Sequence, residues 1–214
     1  HSRDGCAFPS QGETTRKYCK EVQSSVAEVM IKEMSNRKKG SFFVTSSYLN
    51  SHFGYFGAHR KQFKRHSNGS RSSVDKNLEG FIDASKRLAG KLRNINASLI
   101  LVAPLPQHPD FTTELCLQQW FRNSLAVADT CQKTERDFLE EQRKHIVEAI
   151  NTLASEVKNI YIFDPFNKFC DIKYCYVTRN NTYLFSDDDH LSKEGAIMIS
   201  NDLLSIISQI NYKK

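Results

Sequence analysis

Five residues, Ser98-Leu99-Ile100-Leu101-Val102, constrain the fold of this chain more than any other stretch. They make a short, almost wholly apolar run that Pro104 and Pro106 close. A run of this length without polar alternation reads as a strand covered on both faces, the usual condition inside a parallel sheet. Ser41-Phe42-Phe43-Val44-Thr45 and Asn159–Phe163 read the same way. Between and around these runs lie segments of helical period. The first is predicted near 12–35, with Val22, Val26, Val29, Met30 and Met34 recurring on one side, and Lys38-Lys39-Gly40 ending it. A second covers about 75–93, with Leu78, Phe81, Ile82, Ala89 and Leu92, and a third roughly 132–157, with Phe138, Ile146, Ile150, Leu153 and Val157. A final helix is predicted over roughly 192–210, with Ser192 as its N-cap. Helices and strands in alternation specify an α/β fold, a three-layer α/β/α sandwich with a parallel sheet.

At 214 residues and 39% apolar, the chain can bury one sizeable core. No repeat, low-complexity tract or linker divides it, so residues 1–214 read as a single domain. Leu99–Val102 is too short to span a bilayer, and Ala196–Ile210 is interrupted by Ser200, Asn201, Asp202, Ser205 and Ser208. His1-Ser2-Arg3-Asp4 reads as chain interior rather than as a leader. The net charge of +6 is spread over the sequence, with one denser run at His59–His66. It reads as a solvated basic surface, with contact to an acidic glycan or lipid head group as the alternative. No aromatic-interleaved basic motif is present, which argues against a nucleic-acid partner.

Six cysteines fall in three sequence-local pairs, Cys6 and Cys19, Cys116 and Cys131, Cys170 and Cys175. None forms a C-x-x-C, and no His cluster accompanies them at zinc-ligand spacing. An even number in loop-like segments suggests disulfides and an oxidising compartment, against free buried thiols, although spacing alone does not give the connectivity. Two irregular excursions, 50–74 and 107–131, break the alternation. The first carries His52, His59 and His66, which read as surface or cleft-lining residues.

The chemistry concentrates in Ser186-Asp187-Asp188-Asp189-His190-Leu191-Ser192-Lys193-Glu194-Gly195, followed by Ala196. Asp187 stands three residues before His190, a spacing that lets its carboxylate reach Nδ1 while Nε2 points outward. That is the orienter and base half of a Ser-His-Asp centre. Asp188 and Asp189 are expected to face solvent. The bland alternative is an acidic turn in which Ser192 and Glu194 merely cap the last helix. The acidic cluster invites a divalent cation, yet no glycine-containing calcium-loop spacing surrounds it. Neither a metal nor another cofactor is expected. A nucleophile turn of the Gly-Asp-Ser kind does not occur in residues 1–214, and Ser46 and Ser47, which follow a strand, lack a Gly-x-Ser context.

The block Asp187-x-x-His190-Leu191-Ser192-x-x-Gly195-Ala196 resembles the last block of the SGNH/GDSL hydrolase superfamily. More narrowly, the chain is similar to the SGNH domain at the C-terminus of membrane acyltransferase-3 proteins, which O-acetylate bacterial surface glycans. The resemblance runs through Gly5-Cys6-Ala7-Phe8-Pro9 with Cys19, Ser41–Tyr48, Leu99–Pro106 with its Pro-x-Pro, and Cys116 with Cys131. It continues through Phe163-Asp164-Pro165 with Cys170 and Cys175, and Tyr183 stands where an aromatic is usual.

The resemblance implies a catalytic His190 and Asp187, and a nucleophile in a Gly-Asp-Ser-His-like turn at the end of a first strand, upstream of the Gly-Cys segment. That strand is missing here, so the domain is expected to be N-terminally truncated. Tyr48 stands where the family usually has Trp, and with Asn50 it marks a candidate substrate-binding or oxyanion region. The implied activity is acetyl transfer to hydroxyls of a bacterial surface glycan such as lipopolysaccharide. A carbohydrate esterase and a catalytically degenerate glycan- or partner-binding domain are the alternatives. The implied partners are a glycan acceptor, an acyl donor and an N-terminal membrane domain. The implied location is periplasmic, tethered to the inner membrane.

Overall fold

A computed structural model describes residues 17–36, 41–45, 71–109, 111, 116 and 131–212. Helix α1 (Lys17–Ser35) leads to strand β1 (Phe42–Thr45), then to helix α2 (Arg71–Arg93) and strand β2 (Ser98–Val102). Strand β3 (Lys133–Glu135) runs directly into helix α3 (Arg136–Glu156), which is followed by strand β4 (Ile160–Phe163) and the single turn α4 (Phe166–Phe169). Short strands β5 (Tyr174–Tyr176), β6 (Thr178–Arg179) and β7 (Thr182–Tyr183) precede the last helix, α5 (Lys193–Tyr212).

The main sheet is parallel, in the order β1-β2-β4. Phe42 pairs with Ser98 on one side of the central strand, and Leu99 pairs with Ile160 on the other. Every residue of β2 is buried, as its unbroken apolar run requires. Its side chains alternate between the two faces. Leu99, Leu101 and Ala103 join a core with Leu88, Leu92, Ile146 and Ile150 from α2 and α3. Ile100 and Val102 join Phe163 and Ile210, with Leu203, Ile206 and Ile207 of α5 packed against them. Helices therefore cover both faces, giving three layers. Full burial of Leu99, Ile100 and Leu101 contributes on the order of 2 kcal/mol each.

Helix α2 ends on Asn96, whose φ of 55° is left-handed, a conformation asparagine tolerates better than most residues. The amides of Asn96 and Ala97 donate to the carbonyls of Arg93 and Leu92, closing the last turn and sending the chain back into β2. Asn159 fixes the same corner, its Nδ2 donating to the carbonyls of Ala89 and Ala97 at 2.8 and 3.2 Å.

A further cluster gathers where the segments after β2 and β4 meet. It contains Phe111, Leu139, Phe166, Phe169, Val177, Leu184 and Phe185, together with two disulfides. These are Cys116–Cys131 and Cys170–Cys175. Cys6, and with it the pairing of Cys6 and Cys19, lies outside the described residues. Arg143, buried on α3, donates to Asp164 Oδ1 at 2.6 Å and lies over the Phe166 ring. The same oxygen accepts the Phe166 amide, so the turn leaving β4 is held by an ion pair and a backbone hydrogen bond on one carboxylate.

Three helices lie close to their expected bounds, but α3 starts later than the apolar pattern implied. Lys133–Glu135 first pairs antiparallel with Tyr174–Tyr176, and only then does the chain turn helical. Among the described residues no helix is long and apolar enough to cross a membrane.

Candidate active site

The segment from Tyr183 to Gly195 is fastened mostly by its own backbone. Phe185 and Leu191 form an isolated antiparallel bridge, and the Ser186 amide donates to the His190 carbonyl at 2.8 Å. Ser192 then starts α5 as its N-cap, with Oγ accepting the Gly195 amide at 3.0 Å. The same hydroxyl donates to the Tyr183 carbonyl at 2.6 Å, tying the helix start to β7.

Inside this closed turn, Asp187 Oδ1 accepts the backbone amides of Asp189 and His190, at 3.1 and 2.7 Å. A carboxylate bonded to the residue three positions on is thereby aimed at that residue's side chain. Both Asp187 oxygens lie 2.9 Å from His190 Nδ1. Because a carboxylate accepts, this network assigns the proton to Nδ1 and leaves the lone pair on Nε2. The His190 side chain is 72% exposed, so its outer edge is open to a reactant.

Asp189 differs from the expectation of a solvent-facing residue. Its side chain is only 12% exposed, and its Oδ1 also lies 2.9 Å from His190 Nδ1. Asp188 is half-buried, and its carbonyl accepts the His108 amide at 2.8 Å. The turn folds inward because Asp187 and Asp189 engage His190 and the Asp188 carbonyl engages His108.

The electrostatics follow from this crowding. Burial raises the Asp189 carboxyl, its hydrogen bond to Asp187 and the charge of Asp188 raise it further, and it titrates at about 7. Asp187 experiences a burial cost as well, but the amides of Asp189 and His190 outweigh it and hold its carboxyl below the ordinary range. Partial burial pulls the His190 imidazole down. Its hydrogen bond to Asp187 and the charges of Asp189 and Asp187 overcome this, so the net direction is upward. The surrounding carboxylates thus favour the protonated form of the His190 imidazole.

His108 belongs to this neighbourhood and has no counterpart among the residues singled out from sequence. It sits in Pro104-Leu105-Pro106-Gln107-His108-Pro109, directly after β2, where residues at the carboxyl ends of parallel strands gather. That position between prolines was the available signal. Its ring is fully buried, edge-on to Phe185 at 4.7 Å, with Nδ1 2.9 Å from Thr134 Oγ1 on β3. Burial pushes this imidazole from its ordinary 6.5 down to about 3, so it stays neutral. Below pH 6.5 the unfolded chain binds a proton that the folded chain refuses, and stability should fall as pH drops toward 3. The slope contributed approaches about 1.4 kcal/mol per pH unit. Urea midpoints at pH 7 and pH 5 should separate more in the wild type than in His108→Gln. Equal separations would remove His108 as the cause.

Tyr48 and Asn50 lie outside the described residues, as do Ser46, Ser47, His52, His59 and His66. The structure thus brings Asp187 and His190 together and adds Asp189 and His108. The ligand-capable atoms of Asp187, Asp189 and His190 all lie within 4.8 Å of one another. They converge on Nδ1, so a cation there would occupy the place of the proton that orients the imidazole. An open groove of about 540 Å³ between α2 and α3 is lined by Leu78, Glu79, Ile82, Asp83 and Ala149 and shares no residue with this constellation.

No curated protein gave a match. The family model described as "SGNH domain (fused to AT3 domains)" matches residues 1–205. With a parallel sheet between helices and an Asp-x-x-His turn after its last short strands, this chain belongs to the SGNH domains that are fused to AT3 acyltransferase domains, a hydrolase and acyl-transfer family.

Proposed function

We propose that residues 1–214 act as one domain supplying the base and orienter of a Ser-His-Asp acyl-transfer centre. The observation that carries this reading is the Asp187–His190 pair, with Nδ1 held at 2.9 Å and an exposed imidazole. His190 takes the serine proton as the hydroxyl attacks the acyl carbonyl, then returns it to the leaving group. Asp187 fixes the tautomer and stabilises the imidazolium. The resulting acyl-enzyme is resolved by a glycan hydroxyl, with an acetyl group as cargo and a bacterial surface glycan as acceptor. The two disulfides fit an extracytoplasmic, periplasmic setting beside a membrane acyltransferase-3 portion. Because residues 1–214 contain no Gly-Asp-Ser turn, the serine in this reading comes from a segment outside them.

The test is labelling of the protein joined to its acyltransferase-3 portion with a serine-directed fluorophosphonate, followed by peptide mass analysis. One adduct outside residues 1–214, absent in His190→Ala, is the expected result. An adduct inside residues 1–214 would place the nucleophile in this chain. No adduct at all would favour a domain that keeps the fold for binding glycan or partner.

A further inference from the structure

We propose that Asp189 is a second positioning carboxylate for His190, standing beside Nδ1 with Asp187 and taking the Nδ1 proton when Asp187 is lost. The proposal rests on the reading of His190 as the base.

Three geometric facts carry it. Asp189 Oδ1 is 2.9 Å from Nδ1, the same separation as Asp187. The Asp189 side chain is the most buried of the three, 12% exposed against 42% for Asp187 and 72% for His190. Its position is fixed by its own amide, which donates to Asp187 Oδ1. A residue that only solvated a turn would turn its carboxylate to water, where it is better solvated and farther from a like charge. Here the carboxylate stays inside the turn, where it meets Asp187 by a hydrogen bond and approaches the imidazole. Among the described residues, the charges acting on His190 are those of Asp187, Asp188 and Asp189. Asp189 also shares a hydrogen bond with Asp187, so the two carboxyls stand as a pair beside the imidazole. When ionised, Asp189 adds its charge to that of Asp187 in favour of the imidazolium.

The closing experiment reads the imidazole directly. Chain 1–214 is labelled with 15N-histidine, and His190 is assigned by its loss in His190→Ala. In Asp187→Asn the Asn amide keeps the turn's backbone bonds, and Asp189 should keep His190 in the Nδ1–H tautomer. In Asp187→Asn/Asp189→Asn that tautomer should give way to Nε2–H. The titration midpoint of His190 should also fall in Asp189→Asn, by on the order of one pH unit. A full switch to Nε2–H in Asp187→Asn alone would overturn the proposal, as would an unchanged midpoint in Asp189→Asn. These resonances speak on Asp189 whatever turnover does. Turnover that survives His190→Ala would sink the base assignment alone.

Discussion

His190→Ala should lower turnover of the serine-containing enzyme by on the order of 10⁴-fold or more, while the domain remains folded. Removing the base of a comparable triad costs about 10⁶-fold in rate, and disturbing the tautomer of that base about 10⁴-fold. The fold should survive because the side chain is 72% exposed and, among the described residues, its ring nitrogen meets the aspartates of its own turn. The turn is closed by backbone bonds from Ser186 to His190 and by the Phe185–Leu191 bridge, none of which needs the imidazole. Steady-state rates beside thermal unfolding of the two proteins check this. Wild-type rates in a folded variant would end the triad reading.

Gly195→Ala should be the most destabilising conservative change in the site. A methyl at this position would be driven into the Leu184 carbonyl oxygen, 3.0 Å from its carbon and 3.2 Å from Leu191 Cδ2. That carbonyl cannot easily retreat. It accepts the Ser192 amide at 2.9 Å, while the Leu184 amide donates to Val177 at 2.7 Å. Overpacking against fixed backbone costs up to about 3 kcal/mol, and the helical gain of alanine over glycine returns at most about 1. A net loss of about 2 kcal/mol is expected. Gly90 on α2 is the internal contrast, since a methyl there meets nothing within 4 Å. Gly90→Ala should stabilise by about 0.5 to 1 kcal/mol. Urea midpoints of both variants decide the matter, and a neutral Gly195→Ala would mean that the helix start can shift freely.

The sheet and its helices were legible because their patterns are long or unmixed. Ser98–Val102 could only be a strand with two covered faces, and the structure buries all five residues. Asp187 and His190 were legible because a fixed offset of three is enough to close a turn. Strands β3, β6 and β7 were not, since Lys133-Thr134-Glu135, Thr178-Arg179 and Thr182-Tyr183 are too short and polar for any periodicity. Strand β3 pairs with β5 across distant sequence beside the Cys170–Cys175 link, a tertiary cause that no local window contains, whereas β6 and β7 form a local hairpin about Asn180 and Asn181, both at positive φ. The burial of Asp189 escaped for a related reason. A turn has no repeating face, so which of three successive aspartates points inward depends on hydrogen bonds rather than on spacing. His108 was hidden by its neighbours, as a histidine among prolines looks like a loop residue until Phe185 and Thr134 enclose it.

The two-ended fastening of the Tyr183–Gly195 turn has an evolutionary consequence. Most of the described bonds that aim Asp187 at His190 originate within a dozen or so consecutive residues, with the His108 amide on the Asp188 carbonyl and the Leu184 amide on Val177 as ties to the rest of the domain. Its ordering entropy is already lost when the domain folds, and no reacting partner needs to supply it. Such a self-bracing half-site can be recombined as a cassette. A lineage can exchange the surfaces around it while the Asp187–His190 pair stays aligned.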